Sequence, residues 1–399
     1  MAKKILIIDD SALMRRVISD IINEGNEYEV ADVARDGLEG LEKIKANPNL
    51  YSAVILDINM PKMNGIELLQ RLQQDRIDQT VIIVSTVAKE GARETIQALE
   101  YGAFDFVTKP ENYLETKSED FKKRIHAMLD IATNTRQSLQ RVAQSKSLPK
   151  NDTNTGISKG TRNTLESIRS GRLSQNSSFV STSSRTEDVY KASRVSSSQY
   201  SGIKKGKNKL VALACSTGGP KSLQSVIPML PKNLDAGMVL VQHMPAGFTA
   251  SLAARLNEMS EIAVKEAADG DIIVKGHVYI APGGKHIKVS KEGSNYVIRL
   301  NDAPAIDGLK PCANVMYDSL QNSNFDEITC VVLTGMGADG TNGIKGLSAC
   351  HKNIHVIAQD EQSCVVYGMP KALAATGLVD EVVPLNKVAE AITKNVGVS

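Results

Sequence analysis

Residues 210–223 read LVALACSTGGPKSL, an apolar run that stops at Ser216 and turns at once into Thr-Gly-Gly-Pro. The break has the form of a buried strand, a tight turn and a helix start. Around it lie other short apolar runs: GMVLVQH, HVYIAP, YVIRL, ITCVVLT and HVIAQ, most of them ended by glycine or proline. They predict an α/β region over 208–399 that is doubly wound and mostly parallel. Antiparallel hairpin content is expected around GHVYIAPGGKHIKVSKEGSNYVIRL. The same rhythm fills residues 1–133. KILIID, EVADVA, AVILDI, TVIIVST and FDFVT are strand-like, with amphipathic stretches such as SALMRRVISDIINE and GIELLQRLQQD between them. Five such β-α units predict a five-stranded parallel sheet with helices on both faces.

Between these halves, residues 134–207 lose the pattern. Ser, Thr, Asn, Lys and Arg dominate, and basic residues outnumber acidic ones by about ten, against +2 for the whole chain. With little apolar surface to offset ordering entropy, this stretch reads as a flexible basic linker.

At 399 residues the chain is long enough for two full cores, and a hydrophobic fraction of 42% suits globular domains. Its apolar runs are strand-sized, so no membrane insertion is expected, and MAKKILIIDD enters a strand with no signal-peptide pattern. Five scattered cysteines without CxxC pairing point to reduced thiols and a cytoplasmic location, not to a disulfide framework or zinc. The absence of Trp and 4% aromatics exclude the stacking platforms of a single-strand nucleic-acid binder. A monomer is expected.

Asp9 and Asp10 end the first N-terminal strand and Asp57 ends the third. At the carboxyl edge of a parallel sheet these carboxylates crowd one crevice, where a hard divalent cation relieves their repulsion. Mg²⁺ fits, since it also binds phosphate oxygens. Lys109 brings an ammonium over the same pocket and Ser85 a hydroxyl. IIDDSALMRR, LDINMPKMNGIELL, IIVST and DFVTKP resemble the response-regulator receiver family over residues 1–133. The resemblance implies a flavodoxin-like fold in which Asp57 accepts a phosphoryl group from a histidine kinase and Asp9 and Asp10 hold Mg²⁺. It further implies that Ser85 and Lys109 sense the phosphate and that Phe106 fills an aromatic switch position.

Three readings of Ser216 compete. A phosphate cradle calls for G-x-x-x-x-G-K-[ST] or G-x-G-x-x-G, and CSTGGP has neither. A plain strand-to-helix turn is the second. The third is a nucleophile, which needs a base and an orienting acid. Of six histidines, His243 closes GMVLVQH at a strand's carboxyl end, level with Ser216. His277 and His286 flank a hairpin strand, His351 and His355 lie further along, and His126 is in the N-terminal half. Asp339 sits in GMGADGTNG after ITCVVLT, on a loop whose glycines allow a close backbone approach. In a triad His243 would take the proton from Ser216 while Asp339 fixes its tautomer. The Thr217 amide and one near Met336 are candidates for the oxyanion hole. Cys215 is the rival nucleophile, disfavoured because its side chain should alternate to the other face.

CSTGGP, VQHMPAGFTASLAARLN, GHVYIAPGGKH, VVLTGMGADGTNG and IAQDEQSCVVYGMPKAL resemble the catalytic domain of the chemotaxis protein-glutamate methylesterases over about 209–397. The resemblance implies that Ser216, His243 and Asp339 hydrolyse γ-glutamyl methyl esters on the cytoplasmic helices of chemoreceptors at receptor arrays. Some members also deamidate receptor glutamines. No cofactor is implied for the esterase reaction itself. Two departures stand out. Cys312 and Asn314 replace the commoner Ser and Asp, with an expected effect on substrate contacts and none on the triad. The linker is longer than the family's usual one. A DNA-binding regulator would need a helix-turn-helix, which 209–399 lacks in its strand–helix alternation. A scaffold with a vestigial triad is the other alternative.

Overall fold

Successive residues of KKILII face opposite ways. In the computed structural model, which describes residues 2–86, 88–110, 118–146, 208–350 and 353–399 (backbone alone at 89 and 135–146), this run is strand β1, Lys3–Ile8. Ile5 and Ile7 pack with Ile18 and Ile21 of α1 (Ala12–Asn23) and with Phe121 and Ile125 of α5 (Glu119–Lys146). Leu6 and Ile8 pack on the other face with Leu41 of α2 (Gly37–Ala46), Leu68 of α3 (Gly65–Gln74) and Leu99 of α4 (Lys89–Glu100). Burial on both faces is why the run is apolar throughout rather than alternating. With β2 (Tyr28–Ala34), β3 (Ala53–Leu56), β4 (Val81–Ser85) and β5 (Asp105–Thr108) it forms a five-stranded sheet, β2-β1-β3-β4-β5. Every neighbouring pair is parallel. Short polar side chains fix the helix starts: Ser11 accepts from the Met14 amide, Asp36 from that of Glu39, and Asn64 and Glu67 close a reciprocal capping box.

The second sheet has seven parallel strands. In order across it they are β14 (Glu381–Val383), β13 (Ile354–Gln359), β12 (Glu327–Val332), β6 (Lys209–Cys215), β7 (Gly237–Gln242), β9 (His277–Ile280) and β8 (Ala263–Glu266). From central β6, Leu210, Ala212 and Ala214 meet Met316 and Tyr317 of α8 (Ala313–Ser319) and Ile344 of α9 (Thr341–Cys350). Val211, Leu213 and Cys215 point to the opposite layer, with Leu223 of α6 (Gly219–Val226), Leu252 of α7 (Phe248–Met259) and Ile392 of α11 (Leu385–Val396). A separate antiparallel pair, β10 (His286–Glu292) and β11 (Asn295–Asn301), adds Ile287, Val289 and Ile298 to the first of these layers.

Both halves therefore have the expected α/β class, with three differences of detail. The hairpin is β10–β11 alone, because HVYI joins the parallel sheet beside β7. Edge strands β8 and β14, four and three residues long, gave no apolar run to read. Helix α5 continues to Lys146, past the boundary expected near 133. The remainder of the expected linker, 147–207, lies outside the described residues. Among the described residues no helix is long and apolar enough to cross a membrane.

Phe121 is fully buried beneath the first sheet. Phe121→Ala is expected to lower the stability of this half by about 3–5 kcal/mol through cavity formation, read from urea unfolding followed by circular dichroism.

Candidate active site

At the carboxyl edge of the first sheet, Asp9 and Asp10 follow β1, Asp57 follows β3, and one oxygen from each lies within 4.8 Å of the others. Asp9 and Asp57 are buried and Asp10 is exposed. Lys109 reaches across from the end of β5, with Nζ 2.8 Å from Asp57 Oδ1 and 3.0 Å from Asp9 Oδ2. Burial pushes the Asp57 carboxyl above its ordinary pKa, although Lys109 opposes the shift. Three converging carboxylates form an all-oxygen donor set suited to a hard divalent cation. Ser85, the last residue of β4, is buried and its hydroxyl donates to the Gly91 carbonyl at 3.2 Å. Phe106 points the other way, stacked on Phe248 at the start of α7 with ring centroids 4.6 Å apart.

In the second sheet Cys215 and Gln242 are a register pair of β6 and β7, and the next residue on each strand is Ser216 and His243. The His243 amide extends the ladder to Cys215 O at 3.1 Å, while Ser216 N–H donates to Thr334 O at 3.0 Å. Ser216 and His243 thus project from adjacent strand ends. His243 Nε2 lies 2.8 Å from Asp339 Oδ2, with both side chains nearly buried. Asp339 also accepts from the amides of Ala313 (2.6 Å), Asn314 (2.9 Å) and Gly340 (2.9 Å) and from Cys312 Sγ (3.2 Å). Burial disfavours its charge, but the bonds from His243, Ala313 and Asn314 outweigh that and hold its pKa down to about 2.

The loop carrying Asp339 is pinned from below. Gly335 N–H donates to Val366 O, and its carbonyl accepts from Gly368 and Met369. A side chain on Gly335 would press on Ser216 Cβ at 2.8 Å, so the loop and the serine touch directly. Thr217 is buried and the Met336 side chain is exposed. Among the described residues, no protein acceptor takes the Thr217 or Met336 amide proton.

The sequence profile described as CheB methylesterase matches residues 211–392, and that of the response regulator receiver domain matches 5–118. A protein-glutamate methylesterase/protein-glutamine glutaminase of Desulfotalea psychrophila is 39% identical over 396 residues, covering 98% of each chain. One of the same name from Bacillus subtilis is 39% identical over 394 residues, covering 98% of this chain and 97% of the relative. The chain belongs to the CheB methylesterase family. Among solved structures it is similar to the Thermotoga maritima CheB methylesterase catalytic domain, with 40% identity and a TM-score of 0.45, covering 48% of this chain and 98% of that one.

In this CheB-family chain the rival groups have other occupations. Cys215 is buried in the layer under α6, its thiol pushed well above the ordinary range by burial and donating to Gln242 Oε1 at 3.1 Å. His126 contacts Ile21 O, His277 contacts Lys275 O, His286 contacts Pro304 O and His355 contacts Glu381. His351 lies outside the described residues.

Cys312 and Asn314 need correction. Expected to leave the triad untouched, both donate to Asp339, Cys312 through its thiol and Asn314 through its amide. The Asn314 side chain also accepts from the amides of Gly340 (3.1 Å) and Gly343 (2.7 Å). Burial and the neighbouring Asp339 push the Cys312 thiol up to about 12, so it serves as a neutral donor.

Several contributors were missed by reading the sequence alone. Gln242 is one, although a polar residue closing an apolar strand was a visible signal. The others join the two sheets. Glu100 at the end of α4 receives Arg255 Nε (2.6 Å) and Nη2 (3.1 Å) from α7 and Gln224 Nε2 (3.3 Å) from α6. Asp105 in β5 faces the Thr217 side chain and the Gly218 amide, and its burial raises its pKa to about 6.

The depressed pKa of Asp339 gives a signed expectation. Its ionised form stabilises the fold above the unfolded carboxyl value, and that contribution disappears as pH falls through the folded value of about 2. Wild type should exceed Asp339→Asn by about 2 kcal/mol at neutral pH. The difference should shrink steadily below about pH 4, as measured by urea denaturation at stepped pH.

Proposed function

We propose that this chain is a phosphorylation-activated esterase that hydrolyses glutamate γ-methyl esters on the cytoplasmic helices of chemoreceptors, releasing methanol. Deamidation of glutamine at the same site is its second reaction. The observation that carries this reading is the 2.8 Å bond between His243 and Asp339 at the strand end beside Ser216.

Because Asp339 engages Nε2, Nδ1 of His243 is left to act as the base. Ser216 Oγ attacks the ester carbonyl and its proton passes to Nδ1. The tetrahedral oxyanion is met by the Thr217 and Met336 amides. The carbon–methoxy bond then breaks and the imidazolium protonates the departing methoxide, which leaves as methanol. Water next attacks the glutamyl-serine ester, giving its proton to His243. The Ser216 oxygen leaves and recovers that proton, and the glutamate carboxylate is freed. With a glutamine substrate the leaving group is ammonia. Asp339 stays ionised throughout and stabilises the imidazolium.

The receiver half supplies control. Asp57 accepts a phosphoryl group from a histidine kinase. Asp9, Asp10 and Asp57 would hold Mg²⁺, which neutralises charge on the transferring phosphoryl oxygens. Lys109 and Ser85 then read the phosphate. In the unphosphorylated chain α4 packs against α6 and α7, and Phe106 rests on Phe248, five residues beyond His243. Drawing Phe106 inward removes this stack, worth about 0.5–1.5 kcal/mol beyond area burial. The contacts between the halves are released with it. The protein would act in the cytoplasm at receptor arrays, as a monomer.

Ser216→Ala is expected to lower methanol release from methylated receptor membranes by about 10⁴–10⁶-fold, by the scale of triad knockouts. Full activity in that variant, with loss in Cys215→Ser, would sink the nucleophile assignment. Glu100→Ala removes a partly exposed interdomain ion pair. It should raise the activity of the unphosphorylated chain about two- to fivefold and leave the activated rate unchanged. An Asp57→Asn chain should show no response to a small phosphodonor in the same assay.

A further inference from the structure

Gln242 is the last residue of β7 and is buried, yet its carboxamide takes no part in the strand ladder. Nε2 donates to two carbonyl oxygens at once, Ser216 O at 3.0 Å and His243 O at 3.0 Å. Oε1 accepts from Cys215 Sγ at 3.1 Å. Both carbonyls belong to residues just past the last register pair of β6 and β7, beyond the final ladder bond from His243 N–H to Cys215 O. Two carbonyl oxygens turned toward one point repel each other unless a donor stands between them. A primary amide supplies that donor with two N–H bonds on one nitrogen, and it keeps an acceptor for the thiol. The turn is shaped around this group. Gly219 N–H caps Ser216 O from the other side at 2.7 Å, and any side chain at Gly219 would collide with Gln242 Oε1.

We infer that Gln242 is a positioning residue for the esterase reaction. By tying the carbonyls of Ser216 and His243 to one planar group, it sets the separation at which the hydroxyl and the imidazole meet. It touches neither substrate nor the reacting atoms. The inference rests on the reading of Ser216 and His243 as nucleophile and base.

Gln242→Met keeps the volume and loses all three hydrogen bonds, while Gln242→Glu keeps the shape and turns the donor into an acceptor. In the full chain, activated by a small phosphodonor, each is expected to lower kcat for methanol release by about 10–100-fold per native molecule. KM should stay within about twofold; a smaller folded fraction also lowers the total rate at constant KM, but it leaves kcat per native molecule unchanged. Circular dichroism gives the native fraction. Either variant native with kcat within about twofold of wild type overturns the inference. Failure of both to fold overturns it too, because Gln242 is then a residue of stability. Ser216→Ala, assayed alongside, separates the two readings. An active Ser216→Ala removes the nucleophile assignment and this inference with it. An inactive Ser216→Ala beside a fully active Gln242→Met removes the positioning role alone.

Discussion

The Asp339 carboxylate is a buried charge, and the geometry around the second sheet's carboxyl edge depends on keeping it charged. A carboxylate leaves water only when its lone pairs are met. Here three amides, a thiol and an imidazole meet them, and four of these five donors come from loops other than its own or from a different strand. The consequence runs outward. The first turn of α8 must stand against the loop after β12 for its amides to reach Asp339, and Asn314 then fastens Gly340 and Gly343 to the same turn. His243 is held at one ring nitrogen, so its orientation is fixed before any substrate arrives. Preorganisation of this kind is what a site needs when charge develops in the transition state.

Much of this was legible in residues 210–223 and their counterparts. Apolar runs ending at Ser216 and His243, and the glycine-rich loop after ITCVVLT that carries Asp339, marked the strand ends, and a parallel sheet brings its carboxyl ends to one edge. Asp9, Asp57 and Lys109 were readable for the same reason. What stayed hidden has a common cause. The Cys312 thiol and the Asn314 amide and side chain reach Asp339 and its loop only because the start of α8 stands against that loop, a juxtaposition no sequence pattern displays. Glu100, Arg255 and Phe248 are ordinary residues of amphipathic helices, and nothing in helical periodicity distinguishes a face that meets water from one that meets the other sheet's helices. Strands β8 and β14 sit at sheet edges, buried on fewer sides, so no apolar run marked them.

Three aspartates in this chain show how environment sets the use of one functional group. Asp339 is buried among donors and an imidazole, and its pKa falls to about 2. Asp57 is buried beside other carboxylates with one lysine, and burial wins, raising its pKa. Asp105 is buried at the junction of the two halves with only amide and hydroxyl donors, and its pKa rises to about 6. The first environment keeps a carboxylate ionised beside an imidazole at neutral pH. In the second, Lys109 offsets part of the repulsion among the neighbouring carboxylates.

Asp105 adds a further contact between the two halves. Its carboxylate faces Thr217 and Gly218, the residues directly after Ser216, and its neighbour Phe106 stacks on Phe248. Consecutive residues of β5 therefore touch the turn after Ser216 and the helix that follows His243. Among the described residues strand β5 pairs with β4 alone, and it is followed by Lys109, which bonds Asp57. Lys109 directly follows the short strand that carries both contacts, so Asp57 and the turn after Ser216 are joined through four residues, Asp105–Thr108. Such coupling is limited by the difference in contact free energy between joined and parted states. The contacts at this junction are an aromatic stack, a forked ion pair, the packing of α4 against α6 and α7, and a carboxylate that burial makes costly to keep charged.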